Sequence, residues 1–271
     1  MADDPLARPI FVVAPPRAGA RLVARALGAT PGCWSARNTE RGLLASFPAL
    51  DPPDGSKDGR LTAADCAPRV REKLRARLQV DFAKRKRTAT ERPRLLHASP
   101  RNSLQVPFLT AAFPDAIFVY VHREPADAIA ESLLVWRAGS TVTYPELPGW
   151  TGPAWSFLLV PGWRELSGRP LPEIVTEQWV RTMQALAGDL ERLAPDRWCV
   201  VGHDDLRDGS QAERARLTRF LGLQEAAPAA EPLASTDLSS ADLAVAQAEL
   251  EPYLDRTREL GLRAADWLAD S

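Results

Sequence analysis

His97, His122 and His203 are the only imidazoles in the chain, and each stands at the carboxyl end of a short apolar run that reads as a buried strand. That edge of an α/β sheet is where ligands bind. Gathered there, the three rings could act as a cluster of bases near neutral pH or, with Asp204 or Asp205, hold a metal. Alternatively each ring ends its strand and bonds a loop, and no metal is expected. A second feature is Ile10 to Leu27, IFVVAPPRAGARLVARAL. It reads as a buried strand, a tight turn and a helix. Successive N–H groups at such a turn, with a helix N-terminus behind them, form a concavity for an anion. Gly19 lets backbone approach the anion closely, and Arg17 and Arg21 bracket it with charge. The alternative is an ordinary strand-to-helix turn. A Walker A loop is excluded, because G-x-x-x-x-G-K-S/T is absent and no hydroxyl is placed for Mg²⁺.

The elements that must position these groups alternate. Strands are expected at Ile10–Ala14, Leu95–His97, Ile117–His122 and Trp198–Gly202. Helices are expected over Leu22–Leu27, over the i, i+4 series Val70, Leu74, Leu78 and Phe82, and over Ser103–Phe113, Ala126–Trp136, Ile174–Leu193 and Arg214–Leu221. The alternation predicts one α/β domain over residues 1–271, a mostly parallel sheet flanked by helices. Two stretches interrupt it. Asp51–Arg60 (DPPDGSKDGR) predicts a mobile surface loop. Gly139–Pro172, with Trp150, Trp155, Trp163 and Tyr144, predicts either a Trp-rich lid over an apolar substrate or aromatic filling at the sheet edge.

Composition narrows the classes. The chain has 271 residues, 45% hydrophobic and 25% charged, which is ordinary for a folded domain. Its net charge of -1 argues against a dedicated nucleic-acid binder. Only Lys57, Lys73, Lys84 and Lys86 are lysines, so 34 − 4 = 30 of the basic residues are arginine, suited to bidentate contact with oxyanions. The one dense basic run, Lys84–Arg87, reads either as a solvated helix end or as a patch favouring a polyanion or an acidic carrier domain. Cys33, Cys66 and Cys199 form no C-x-x-C pair, and no apolar run is long enough for a membrane span. A reducing cytoplasm is the expected setting, with neither a membrane nor a nucleic-acid partner.

The stretch from His97 to Ser132, HASPRNSLQVPFLTAAFPDAIFVYVHREPADAIAES, resembles the nucleotide-binding core of bacterial PAPS-dependent sulfotransferases. Those enzymes carry a K-T-P-R/K-N-x-L segment, a strand, and then an R-x-P-x-D-x-x-x-S turn and helix. PRAGARL at Pro16–Leu22 is similar to the family's loop for the 5′-phosphosulfate, which brings Arg17, Ala18, Gly19, Ala20 and Arg21 to the donor. Arg123 stands where the family binds the 3′-phosphate of PAPS. The resemblance continues through Thr143–Trp163, HDDL at His203–Leu206 and AELEPYL at Ala248–Leu254. It implies a P-loop-like sulfotransferase fold and sulfuryl transfer from PAPS to a hydroxyl or amine of a small-molecule or carrier-bound acceptor.

Several positions depart from that pattern. Ala18, Ala20 and Arg21 replace hydroxyl-bearing residues, and Ala98 replaces a lysine. Glu131 stands in place of a serine that contacts the 3′-phosphate, with Ser132 one step late, and ASTDL (Ala234–Leu238) lacks an arginine. Two alternatives stay open: an enzyme on this scaffold that no longer uses PAPS, and a non-catalytic binding protein. His97, beside the family's catalytic position, is the expected general base, with Glu40 and His203 as further candidates.

Overall fold

A computed structural model describes residues 4–28, 32–35, 43–44, 47–52, 54–84, 93–224 and 239–270. In chain order, β1 (Ile10–Val13) leads to α1 (Ala20–Gly28), followed by β2 (Cys33–Ser35), α2 (Pro68–Ala83) and β3 (Arg94–Ala98). A 3₁₀ turn over Pro100–Leu104 precedes α3 (Val106–Ala112), β4 (Ile117–His122) and α4 (Pro125–Ala138). The strands β5 (Val142–Tyr144) and β6 (Trp155–Ser156) pair antiparallel before α5 (Leu171–Leu190). The chain ends with β7 (Trp198–Gly202), α6 (His203–Arg207), α7 (Gln211–Leu221), α8 (Ser240–Leu254) and α9 (Arg258–Ala269).

The main sheet runs in the order β2-β3-β1-β4-β7, and every pairing in it is parallel. All four residues of β1 are fully buried, as expected for a central strand covered on both faces. Helix α1 packs on β1 and β3, while α7 and α9 pack on β7. The edge strand β2 and the helices from α8 onward were not expected from periodicity. Three residues of β2 are too few to show a pattern, and α8 carries Pro252 in its interior.

The aromatic segment is core, which corrects the lid expectation. Trp155 and Trp163 are 0% and 1% exposed, and Trp150, Trp155 and Trp163 meet edge to face with Trp136 of α4 on the fourth side. Gln178 of α5 fastens the segment by donating from Nε2 to the carbonyls of Ser156 (3.0 Å) and Leu158 (2.8 Å). The expected mobile loop is also pinned. Arg60 forms a bidentate pair with Asp189 of α5, Gly59 N donates to Leu159 O at 2.7 Å, and Tyr144 OH donates to Asp51 at 2.7 Å.

A core role and a lid role for the tryptophans differ in what a truncation does. Trp155→Ala is expected to lower unfolding free energy by about 3–5 kcal/mol, read from urea denaturation, because it empties a fully buried indole site. A change in turnover with unaltered stability would restore the lid.

Candidate functional site

The site grows from the end of β1. Ser103 accepts from Ala14 N (2.8 Å) and donates to Ala14 O (2.9 Å), while Asn102 donates from Nδ2 to Val12 O (2.9 Å) and His97 O (3.1 Å). The PRNSL segment thus stitches β1 to β3 where their ladder stops. Beyond Ala14 the chain turns tightly, with Ala18 N donating to Pro15 O, Arg17 at φ 62 and Gly19 at φ 104. A left-handed residue followed by a second positive φ makes a concave run of backbone N–H groups, closed by the first turn of α1. The methyls of Ala18 and Ala20 are buried. Arg21 is at the surface.

One carboxylate holds both arginines beside that turn. Arg17 donates from Nε (3.0 Å) and Nη2 (2.8 Å) to Oε2 of Glu131, and Arg123 donates from Nη2 to Oε1 at 2.7 Å. Arg123 Nη1 also donates to Arg17 O at 2.7 Å. Glu131 lies on α4 at 4% exposure. Burial alone would push its carboxyl up, but the hydrogen bonds and charges of Arg123 and Arg17 outweigh it and hold the group below its ordinary range. Ser132 is turned away: its hydroxyl donates to Ala128 O within the helix at 2.8 Å and lies 3.5 Å from Pro16 O.

The histidines do not cluster. His203 lies over the turn, so close that a Cβ built on Gly19 would sit 2.6 Å from His203 Cδ2. Its Nδ1 is 2.9 Å from Asp204 Oδ1, and that carboxylate also pairs with Arg207 at 2.8 Å. Because a carboxylate only accepts, Nδ1 carries the hydrogen and Nε2 keeps the lone pair. Burial lowers the affinity of His203 for a second proton, and the charges of Arg123 and Arg207 act in the same direction against Asp204. His122 is lowered too, chiefly by burial, and its Nδ1 is buried without a partner. Among the described residues no group of His, Cys, Asp or Glu is arranged to hold a metal ion.

His97 does not suit the role of general base expected for it. The ring is 1% exposed, edge-on to Phe11 at 6.3 Å, with Nδ1 3.0 Å from Asn102 Oδ1. Since both donors of Asn102 are spent on carbonyls, His97 Nδ1 is the donor here, and Nε2 is buried with no partner. Burial pushes its pKa down to about 4. Glu40, Arg85–Arg87 and the Ala234–Leu238 segment lie outside the described residues. Sequence reasoning did not find the orienting role of Asp204 or the pairing of Glu131 with both arginines. The signal for the second was available, as an acidic residue in place of a hydroxyl on the helix that follows Arg123.

The histidine shift carries a stability consequence. An unfolded His97 takes a proton near pH 6.5 while the folded one resists down to about 4, so stability falls as pH drops through that window. His97→Asn, which retains a donor toward Asn102, is expected to flatten this acid slope by up to one proton, about 1.4 kcal/mol per pH unit. Urea midpoints measured between pH 7 and 4.5 read the slope, and equal slopes in both proteins would mean that His97 titrates normally.

With this geometry in place, the comparisons with known proteins are consistent with one another. Residues 9–227 match the family model described as the sulfotransferase family. The fold is similar to the sulfotransferase domain from the curacin biosynthetic pathway, at 16% identity and TM-score 0.51 over 88% of this chain and 82% of that one. It is also similar to a sulfotransferase from Alicyclobacillus acidocaldarius, at 15% identity and TM-score 0.52 over 94% and 96% of the two chains. A sulfotransferase from Mycobacterium avium gives 15% identity and TM-score 0.52 over 99% and 78%. No curated protein matches the sequence. A match spanning most of the length, on a parallel sheet with its oxyanion-shaped turn after the central strand, shows that the chain belongs to the sulfotransferase family.

Proposed function

We propose that the chain transfers a sulfuryl group from an anionic donor to a hydroxyl or amine of a small molecule, free or carrier-bound. In this reading the Pro15–Arg21 turn receives the transferable end of the donor and His203 is the general base. The observation that carries the proposal is the closeness of His203 to Gly19, its Cδ2 only 2.6 Å from where a Cβ would stand, which sets the imidazole beside the backbone of the turn while Nδ1 is engaged by Asp204. Burial and the nearby arginines keep the ring neutral, hence ready to accept a proton. As the acceptor oxygen or nitrogen bonds to sulfur, its proton passes to Nε2 and the bond from sulfur to the leaving oxygen breaks. The N–H groups of the turn stabilise the charge that develops on that oxygen. His203 then returns its proton to water. The curacin-pathway neighbour supports a small-molecule or carrier-bound acceptor.

PAPS is the donor that the family resemblance implies, and the residues present do not fit it. Its 3′-phosphate would need Arg123, whose guanidinium is already bonded to Glu131 and to Arg17 O. A phosphate at that buried point would meet the Glu131 carboxylate head on. The free thiols Cys33, Cys66 and Cys199 support a cytoplasmic setting. No helix among the described residues is long and apolar enough to cross a membrane.

His203→Gln should lower turnover by about a hundredfold while donor affinity changes only a few fold, because a base acts on the transition state. In the unaltered protein kcat/KM should fall on the acid side below pH 6.5, since the imidazole is shifted down from that value. The variant should lose this limb. Radiolabelled sulfuryl donors with a panel of alcohols, phenols and amines supply the assay, and absence of transfer to every acceptor would reject the reading.

A further inference from the structure

We infer that Glu131 is a built-in occupant of the arginine pair, and that the donor this chain accepts is a 5′-phosphosulfate with no phosphate at the 3′ position. The inference rests on the reading of the Pro15–Arg21 turn as the donor's seat.

Two observations carry it. The first is geometric: each carboxylate oxygen of Glu131 is taken by a different guanidinium, Oε2 by Arg17 through two nitrogens and Oε1 by Arg123 Nη2, while Arg123 Nη1 donates to Arg17 O and its Nε is buried without a partner. The carboxylate therefore makes the contacts that an oxyanion of a ligand would make. The second is burial. The side chains of Glu131 and Arg123 are 5% and 9% exposed, and Ala130 and Leu133 beside Glu131 on α4 are fully buried. A displaced carboxylate would have to leave its partners without water to receive it, at the cost of an uncompensated buried charge.

The same contacts shape the turn before any ligand arrives. Arg17 is held at φ 62 by its side chain on Glu131 and by its carbonyl on Arg123, so the concavity of the turn does not depend on a 3′-phosphate to organise it. What remains for the donor is the backbone of the turn, which recognises one anionic terminus.

Calorimetric titration of the full chain with adenosine 5′-monophosphate and with 3′-phosphoadenosine 5′-phosphate tests this. The unaltered protein is expected to bind the monophosphate at least as tightly as the bisphosphate. Glu131→Ser should strengthen bisphosphate binding by about tenfold or more and change monophosphate binding by less than about threefold. A tenfold preference of the unaltered protein for the bisphosphate, or an unchanged ratio in the variant, overturns the inference while leaving the donor-site reading standing. If neither nucleotide binds either protein, the donor-site reading falls and the inference falls with it. Circular dichroism melting shows whether Glu131→Ser is folded. Should it not be, Glu131→Gln, which keeps the volume and removes the charge, must move the ratio in the same direction, and no movement there overturns the inference.

Discussion

The central strand of a parallel sheet must stop, and where it stops its backbone loses the ladder that satisfied it. Here β1 is flanked by β3 and β4, and the chain leaves it at Val13 for a turn that pairs with neither neighbour. Buried carbonyls and amides without partners are costly. Side chains therefore replace the ladder: Asn102 takes Val12 O, Ser103 takes both polar groups of Ala14, and Arg123, from just beyond β4, takes Arg17 O. The buried polar residues of the PRNSL segment thus hold the place where the sheet opens into a cleft. The connections that follow the neighbouring strands β1 and β4 lead to opposite edges of the sheet, to β2 and to β7, so this opening is also where a ligand has room.

Holding the turn in that form has an energetic cost of its own. A non-glycine residue at φ 62 is disfavoured by about 1 kcal/mol relative to the right-handed region. The bonds of Arg17 to Glu131 offset that cost, since a carboxylate contacting two guanidiniums forms charge-assisted bonds stronger than ordinary ones. Burying the charges of Glu131 and Arg123 is tolerable because both carboxylate oxygens accept from a guanidinium, even though Arg123 Nε stays without a partner. Loss of one partner would leave the others both strained and uncompensated, so the turn, Arg123 and α4 stand or fall together.

Which parts of this were legible in the sequence follows from the range of each interaction. Continuous apolar runs such as IFVV and IFVYVH can only be strands covered on both faces, and four of the five strands of the main sheet were readable for that reason. The fifth, Cys33–Ser35, is defined by pairing with β3, which no local pattern encodes. The histidines show the same limit. All three end apolar runs, but alternation along a strand decides which ring enters the core, and the register pairing His97 with Phe11 is a property of the assembled sheet. For the tryptophans, residue type could not separate a cover from a core, because the deciding contacts come from Trp136 and Gln178 on helices elsewhere in the chain. Glu131 was visible as a misfit. Its direction was not, since whether a carboxylate repels a ligand or satisfies the arginines depends on geometry across more than a hundred residues.

Arg123 joins the clamp to the chemistry. Its charge contributes to lowering the proton affinity of His203, while Asp204 acts in the opposite sense. The two influences are not equally shielded: Asp204 is 63% exposed and screened by water, whereas the Arg123 side chain is 9% exposed. Burial and the shielded arginine therefore prevail, and the imidazole remains neutral even with a carboxylate on its Nδ1.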